Sequence, residues 1–148
     1  MIKKQRGFTL IEIMIVIGII AILAAAIIVA INPGRQFART RNTTRSTDLN
    51  AVLSSIVQNM TDNRGAFVCT AGAIPTGTAR TMSNTDYDIA PCLVPTYVPS
   101  MPRDPQTGTY TSVTSYNSAY TIVQDAASGR ITLSAPGAEL GETITTTR

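Results

Sequence analysis

The chain is 148 residues long, with a formal net charge of +3, no histidine and two cysteines. Lys3, Lys4 and Arg6 all precede Gly7, so the remaining basic and acidic side chains balance, and the chain lacks the basic folded face that a nucleic-acid-binding domain needs. Two thiols and no imidazole exclude a four-ligand zinc site, and no Gly-x-Ser-x-Gly elbow or recognisable carboxylate pair places a base beside a nucleophile, which argues against an enzyme.

In chain order, residues 1–7 are basic and polar. Phe8 to Ile31 is then apolar, with Glu12 as its one charge. That is about two dozen residues against the ~20 a helix needs to cross ~30 Å of hydrocarbon. A carboxylate near the end of such a span costs less than the ~2.5–3.5 kcal/mol expected at its centre, but the cost still needs a reason. One reason is local: Thr9-x-x-Glu12 has the spacing of a capping box, with the acid also favoured by the helix dipole. Asn32-Pro33-Gly34 ends or kinks the helix, because proline removes a donor and restricts the residue before it.

Leu49, Val52, Leu53, Ile56, Val57 and Met60 recur at helical spacing among polar residues, which predicts an amphipathic helix. Its polar beginning carries Arg35, Arg39, Arg41 and Arg45, with Phe37 as the one large apolar residue. Few acids lie within a turn of these arginines, so they read as a solvated or lipid-facing group. Thr61 to about Tyr97 has no regular period and reads as a long loop. Tyr97 to Pro105 is too proline-dense for a central strand. Thr109 to Tyr116, Ser118 to Gln124 and Arg130 to Ser134 read as strands, the last two joined by Asp125 to Gly129 as a hairpin, and Glu142 to Arg148 reads as an edge strand or a frayed end. So small a sheet needs a partner for one face, and the Leu49 to Met60 stripe supplies it. The predicted class is α+β, a long amino-terminal helix, membrane-spanning in its first half, packed on a small antiparallel sheet.

The segment Gly7-Phe8-Thr9-Leu10-Ile11-Glu12 resembles the processing signal of type IV prepilins. The resemblance implies that a prepilin peptidase cuts between Gly7 and Phe8 and methylates the new amino-terminal Phe8. It also implies that Glu12, four positions on, pairs with the positive amino terminus of a neighbouring subunit, so that Phe8 and Glu12 are the assembly residues. Two other readings compete: an ordinary secretory signal cut near Ala24-Ala25-Ala26, and a plain single-span anchor. The first would leave the apolar Ile27, Ile28 and Val29 as a stub, and the second explains neither the Gly7-Phe8 junction nor Glu12. Positive charge flanks the span on both sides, so the positive-inside rule alone does not orient it. The leader resemblance does, with the amino terminus inside.

An exported head favours a disulfide between Cys69 and Cys92, although a pair of free, small apolar thiols is the alternative. Pro102-Arg103-Asp104-Pro105 resembles the Pro-x-Asp-Pro run that precedes the sheet in pilins and in the major pseudopilins of type II secretion systems. Those pseudopilins carry calcium in a carboxyl-terminal loop, which makes Asp86 with Asp88, or Glu139 with Glu142, the acids to consider here, though neither pair has EF-hand spacing. The expectation is therefore no metal and no cofactor. Asn42-Thr43-Thr44 and Asn59-Met60-Thr61 match the glycosylation pattern, but both fall on the predicted helix.

These readings divide the chain into a leader (1–7), a membrane and filament-core helix (8–31), its amphipathic continuation (32–60) and a head of loop and sheet (61–148). The function they imply is a type IV pilin, a homopolymer's subunit for adhesion, motility or DNA uptake. Its partners would be identical copies, the prepilin peptidase, an inner-membrane assembly platform and, before assembly, membrane lipid, with no specific nucleic acid. The chain would sit in the cytoplasmic membrane before assembly and in an extracellular filament afterwards. The alternatives are a major pseudopilin of type II secretion and a membrane-anchored surface module that never polymerises.

Overall fold

The computed structural model describes residues 7–148, so the leader positions 1–6 lie outside the described residues. These residues form two compact units, divided between Phe37 and Ala38.

In the first unit, α1 (Leu10–Ile31) is apolar on all sides, and its large side chains from Leu10 to Ile28 stand exposed. By length and composition, Leu10–Ile28 is sufficient to cross a membrane. Asn32 stops the helix in the left-handed region (φ 49°, ψ 82°). Its carbonyl and side-chain oxygens then both accept from the Arg35 N–H, at 3.1 and 3.3 Å, so one residue closes α1 and opens α2 (Pro33–Asp62). Proline suits the first position of α2, where its missing N–H would have had no helical partner.

The second unit holds the rest of α2 and a five-stranded sheet. The strands are β1 (Arg80–Ser83), β2 (Thr109–Ser112), β3 (Ser115–Gln124), β4 (Ile131–Ser134) and β5 (Thr145–Thr147), with a one-turn helix, α3 (Ala90–Leu93), after β1. β3 is the axis: β1, β2 and β4 all pair with it antiparallel, and β5 pairs with β4. Leu49, Val52, Leu53 and Ile56 of α2 share one core with Tyr120, Ile122, Ile131 and Leu133, so the apolar stripe of the helix faces the sheet as its period predicts.

Two stretches depart from the sequence expectation. Thr109 to Tyr116 is not one strand: it turns at Val113-Thr114 and contributes β2 and the start of β3. Between Thr61 and Tyr97 the chain is not all loop, since it contains β1 and α3 and sends Ile74, Met82, Tyr87, Ile89 and Leu93 into the core. The carboxyl-terminal segment is an edge strand.

Within that stretch Cys69 and Cys92 form a disulfide, with Cα atoms 5.2 Å apart at a sequence separation of 23. A loop of this length is worth about 3 kcal/mol on a chain-entropy estimate. Non-reducing peptide mapping is expected to recover the two cysteine peptides linked, and reduction to lower the unfolding free energy by about 3 kcal/mol with the sheet retained. Free, alkylatable thiols in the native protein would contradict it.

Candidate functional site

At the amino end of α1, Thr9 is the cap, in extended conformation (φ −80°, ψ 154°). Its hydroxyl accepts from the Glu12 N–H at 3.2 Å, and its own N–H donates to Glu12 Oε2 at 2.8 Å, completing a capping box. The Thr9 hydroxyl also donates to Oε2, at 3.0 Å. Both donors use the same oxygen, and among the described residues Oε1 accepts no hydrogen bond. Among the described residues, a Cβ at Gly7 would have no heavy atom within 4 Å. Phe8 is 84% exposed. Packing among the described residues therefore explains neither the glycine nor the phenylalanine.

Residues 2–28 match the family described as the prokaryotic N-terminal methylation motif. The chain carries the signature of type IV pilins and pseudopilins. No curated protein and no solved structure matches it. The motif implies processing by the prepilin peptidase and assembly into pilus-like polymers, and it marks a structural subunit rather than an enzyme. Together with the exposed apolar α1, the motif fits membrane anchoring before assembly.

The second compact unit is joined around Arg45. Far from being solvated or lipid-facing, Arg45 is fully buried and bonds to residues about 60 and 95 positions further along the chain. Its Nε donates to Asp104 Oδ2 at 2.6 Å and its Nη2 to Asp104 Oδ1 at 3.3 Å. Nη2 also donates to Gln106 Oε1 at 2.9 Å, and Nη1 to Asn42 Oδ1 at 2.9 Å and Glu139 Oε2 at 3.0 Å. Half-buried Arg41 grips Glu139 with two bonds of 2.6 Å. Only Arg35 and Arg39 of the four arginines are exposed.

Asp104 is the residue that sequence reasoning passed over. It lies in the Pro102-Arg103-Asp104-Pro105 run, 1% exposed, and its Oδ1 accepts the N–H groups of Gln106 and Thr107 at 2.8 and 2.9 Å. Its own N–H donates to the Ser118 carbonyl at 2.9 Å, which ties the loop to β3. Two glycines make room. A Cβ on Gly108 would come within 2.6 Å of the Asp104 amide nitrogen, and one on Gly137 within 2.8 Å of Asp104 Oδ2. On the next turn of α2, Asp48 accepts from the buried Tyr120 hydroxyl at 2.9 Å.

Three of the four acids considered for calcium are engaged elsewhere, and the fourth, Asp88, has a buried Oδ1 that accepts no hydrogen bond among the described residues. Glu139 faces Arg41 and Arg45, and Glu142 Oε2 accepts from the Asn42 amide at 2.9 Å. Asp86 pairs with Arg80 and accepts the Thr81 N–H at 2.7 Å. Among the described residues, no three His, Cys, Asp or Glu side chains gather as a metal-binding group. The two asparagines of the glycosylation patterns are buried: Asn42 holds Glu139 and Glu142, and Asn59 exchanges hydrogen bonds with the Val68 carbonyl and N–H.

The electrostatics give a signed pH dependence. Burial pushes the Asp104 carboxyl up, but its bond to Arg45 and the Thr107 and Gln106 N–H groups outweigh this and hold it at about 2. Glu139 is held at about 2, first by Arg41 and then by Arg45. Burial raises Asp48, in the opposite sense. A depressed carboxyl contributes stability that is complete above its unfolded pKa of ~4 and is lost as pH falls towards the folded value. The melting temperature is thus expected to be nearly level from neutrality to about pH 5 and to fall between about pH 4 and 2. Asp104→Asn should flatten the acid limb in a pH series followed by near-ultraviolet circular dichroism. An unchanged limb would contradict the assignment.

Proposed function

We propose that this chain is the structural subunit of a type IV pilus, drawn from the membrane into a surface filament for adhesion, motility or DNA uptake. The observation that supports it best is α1 itself, a helix exposing apolar side chains on every side, with one carboxylate in its first turn beneath a methylation motif. Such a surface must be covered by lipid or by like helices, and a head-to-tail helical array of identical copies satisfies every subunit equally. The assembly platform, the extracellular location and the division into leader, core helix, continuation and head follow from this reading. It requires no cofactor.

The first test is processing. The mature chain is expected to begin with N-methylated Phe8, and Gly7→Val to accumulate as uncut precursor, both read by mass spectrometry of membrane fractions. Mature protein beginning at Ile27 would mark an ordinary secretory signal and remove the reading. The pseudopilin alternative shares α1 and the Pro102 to Pro105 loop, so the machine is separated by deletion. Loss of surface filaments under the electron microscope supports the pilus, and loss of a secreted protein with filaments intact supports the secretion system. A subunit that never cross-links to its own kind in cells would favour the non-polymerising surface module.

A further inference from the structure

All five N–H donors of the Arg45 guanidinium are taken, and each is taken by a side-chain oxygen. Nε and Nη2 meet the two oxygens of Asp104, the second Nη2 hydrogen meets Gln106 Oε1, and the two on Nη1 meet Asn42 Oδ1 and Glu139 Oε2. A guanidinium presents five donors in a fixed planar fork. Here two carboxylates and two amide carbonyls, drawn from α2, the 102–108 loop and the 136–142 segment, converge on that fork. Without it they would be two anions and two acceptors facing one another around a hole. Gly137 confirms how closely the cage is fitted, since a Cβ there would stand 2.8 Å from Asp104 Oδ2 and 3.6 Å from Arg45 Nη2.

We propose that Asn42, Asp104, Gln106 and Glu139 form a cation site shaped for a planar guanidinium, and that Arg45 is its tethered, permanent occupant. The head then closes on a cation carried by its own helix. Closure is independent of the divalent cations in the medium, whichever filament machine the subunit serves. The rigid fork also makes the site selective: a spherical ion of equal or greater charge does not place five donors in one plane.

Chemical rescue tests this on the full-length chain in detergent micelles. Arg45→Ala empties the cage while leaving its four oxygen-bearing residues, and the variant is expected to melt well below the wild type. Adding guanidinium chloride at low-millimolar concentration should raise its melting midpoint with the logarithm of concentration, as for any ligand bound only by the folded state. Sodium and calcium chloride at matched ionic strength should not, and guanidinium should give the wild type no rise. Absence of a guanidinium-specific rise, or an equal rise with calcium, would overturn the proposal. Should Arg45→Ala fail to fold, the wild type carries the test. Its Arg45 guanidinium protons should be individually resolved and slow to exchange in nitrogen-15 NMR, and a chelator should leave the melting midpoint unchanged. Averaged, fast-exchanging signals or a chelator-induced drop would each overturn it.

Discussion

Asp104→Ala is expected to destabilise the head by about 3–5 kcal/mol, the range for breaking a buried ion pair from one side. The cost arises less from the lost attraction than from what remains. Arg45 is fully buried, and Asp104 supplies two of the five oxygens around its charge. Alanine also strands the Gln106 and Thr107 N–H groups that Asp104 Oδ1 now accepts. An unsatisfied buried polar group costs about 1–3 kcal/mol. Glu139→Ala should be milder, because Glu139 retains partial solvent access and its second partner, Arg41, can turn to water. The informative comparison is the double variant Arg45→Met with Asp104→Leu. A buried pair replaced by apolar side chains of similar volume is often close to neutral, so the double variant should recover most of the stability that Asp104→Ala loses. Denaturant titration of the full chain in detergent reads all three. An Asp104→Ala loss below about 1 kcal/mol would place this pair with weak surface ion pairs and contradict its burial.

The arginine network also shows where reading the sequence stopped. Local spacing gave α1, α2 and the β3–β4 hairpin, and left the carboxyl-terminal segment between an edge strand and a frayed end, because each of these readings rests on a period, a cap or a turn contained in a few residues. Arg45 looked solvated because few acids lie within a turn of the arginine group, and its partners Asp104 and Glu139 stand about 60 and 95 residues away. A signal was nevertheless present. Ala38, Asn42, Arg45, Leu49, Val52 and Ile56 follow one another at helical spacing, and all are buried, so Arg45 continues the apolar stripe instead of facing away from it. An arginine inside such a stripe calls for a buried acid. An aspartate in a proline-flanked run, with a glycine four positions on, is a fixed loop well suited to present one.

The strands that went unread failed for a different reason. β1 has Met82 as its one large apolar residue among Arg80, Thr81 and Ser83, so no alternation stands out. The turn between β2 and β3 is Val113-Thr114, with none of the glycine, proline or asparagine that marks a turn. Tertiary pairing with β3 overrides weak local preference at both places.

Glu12→Ala is expected to yield protein that is made, cleaved and inserted, yet barely incorporated into filaments when no wild-type subunit is present. The structure supplies the competing explanation in full, since Glu12 closes a capping box with Thr9 in its own chain. Magnitude separates the two. Loss of a cap costs about 1 kcal/mol and would leave filaments less stable but abundant. Loss of the only carboxylate in α1 leaves the ammonium of each incoming Phe8 without a counter-charge in an apolar core, where an unpaired cation costs several kcal/mol. The two roles are compatible, because both Thr9 donors use Oε2 and, among the described residues, Oε1 accepts no hydrogen bond. Glu12→Gln sharpens the test. It retains an acceptor for the Thr9 N–H but carries no charge, so a capping role predicts near-normal filaments and a charge-pairing role predicts a loss close to that of alanine. Electron microscopy and shear-fraction immunoblots read the outcome. Abundant, ordinary filaments from either variant would leave the capping box as the whole account of this carboxylate.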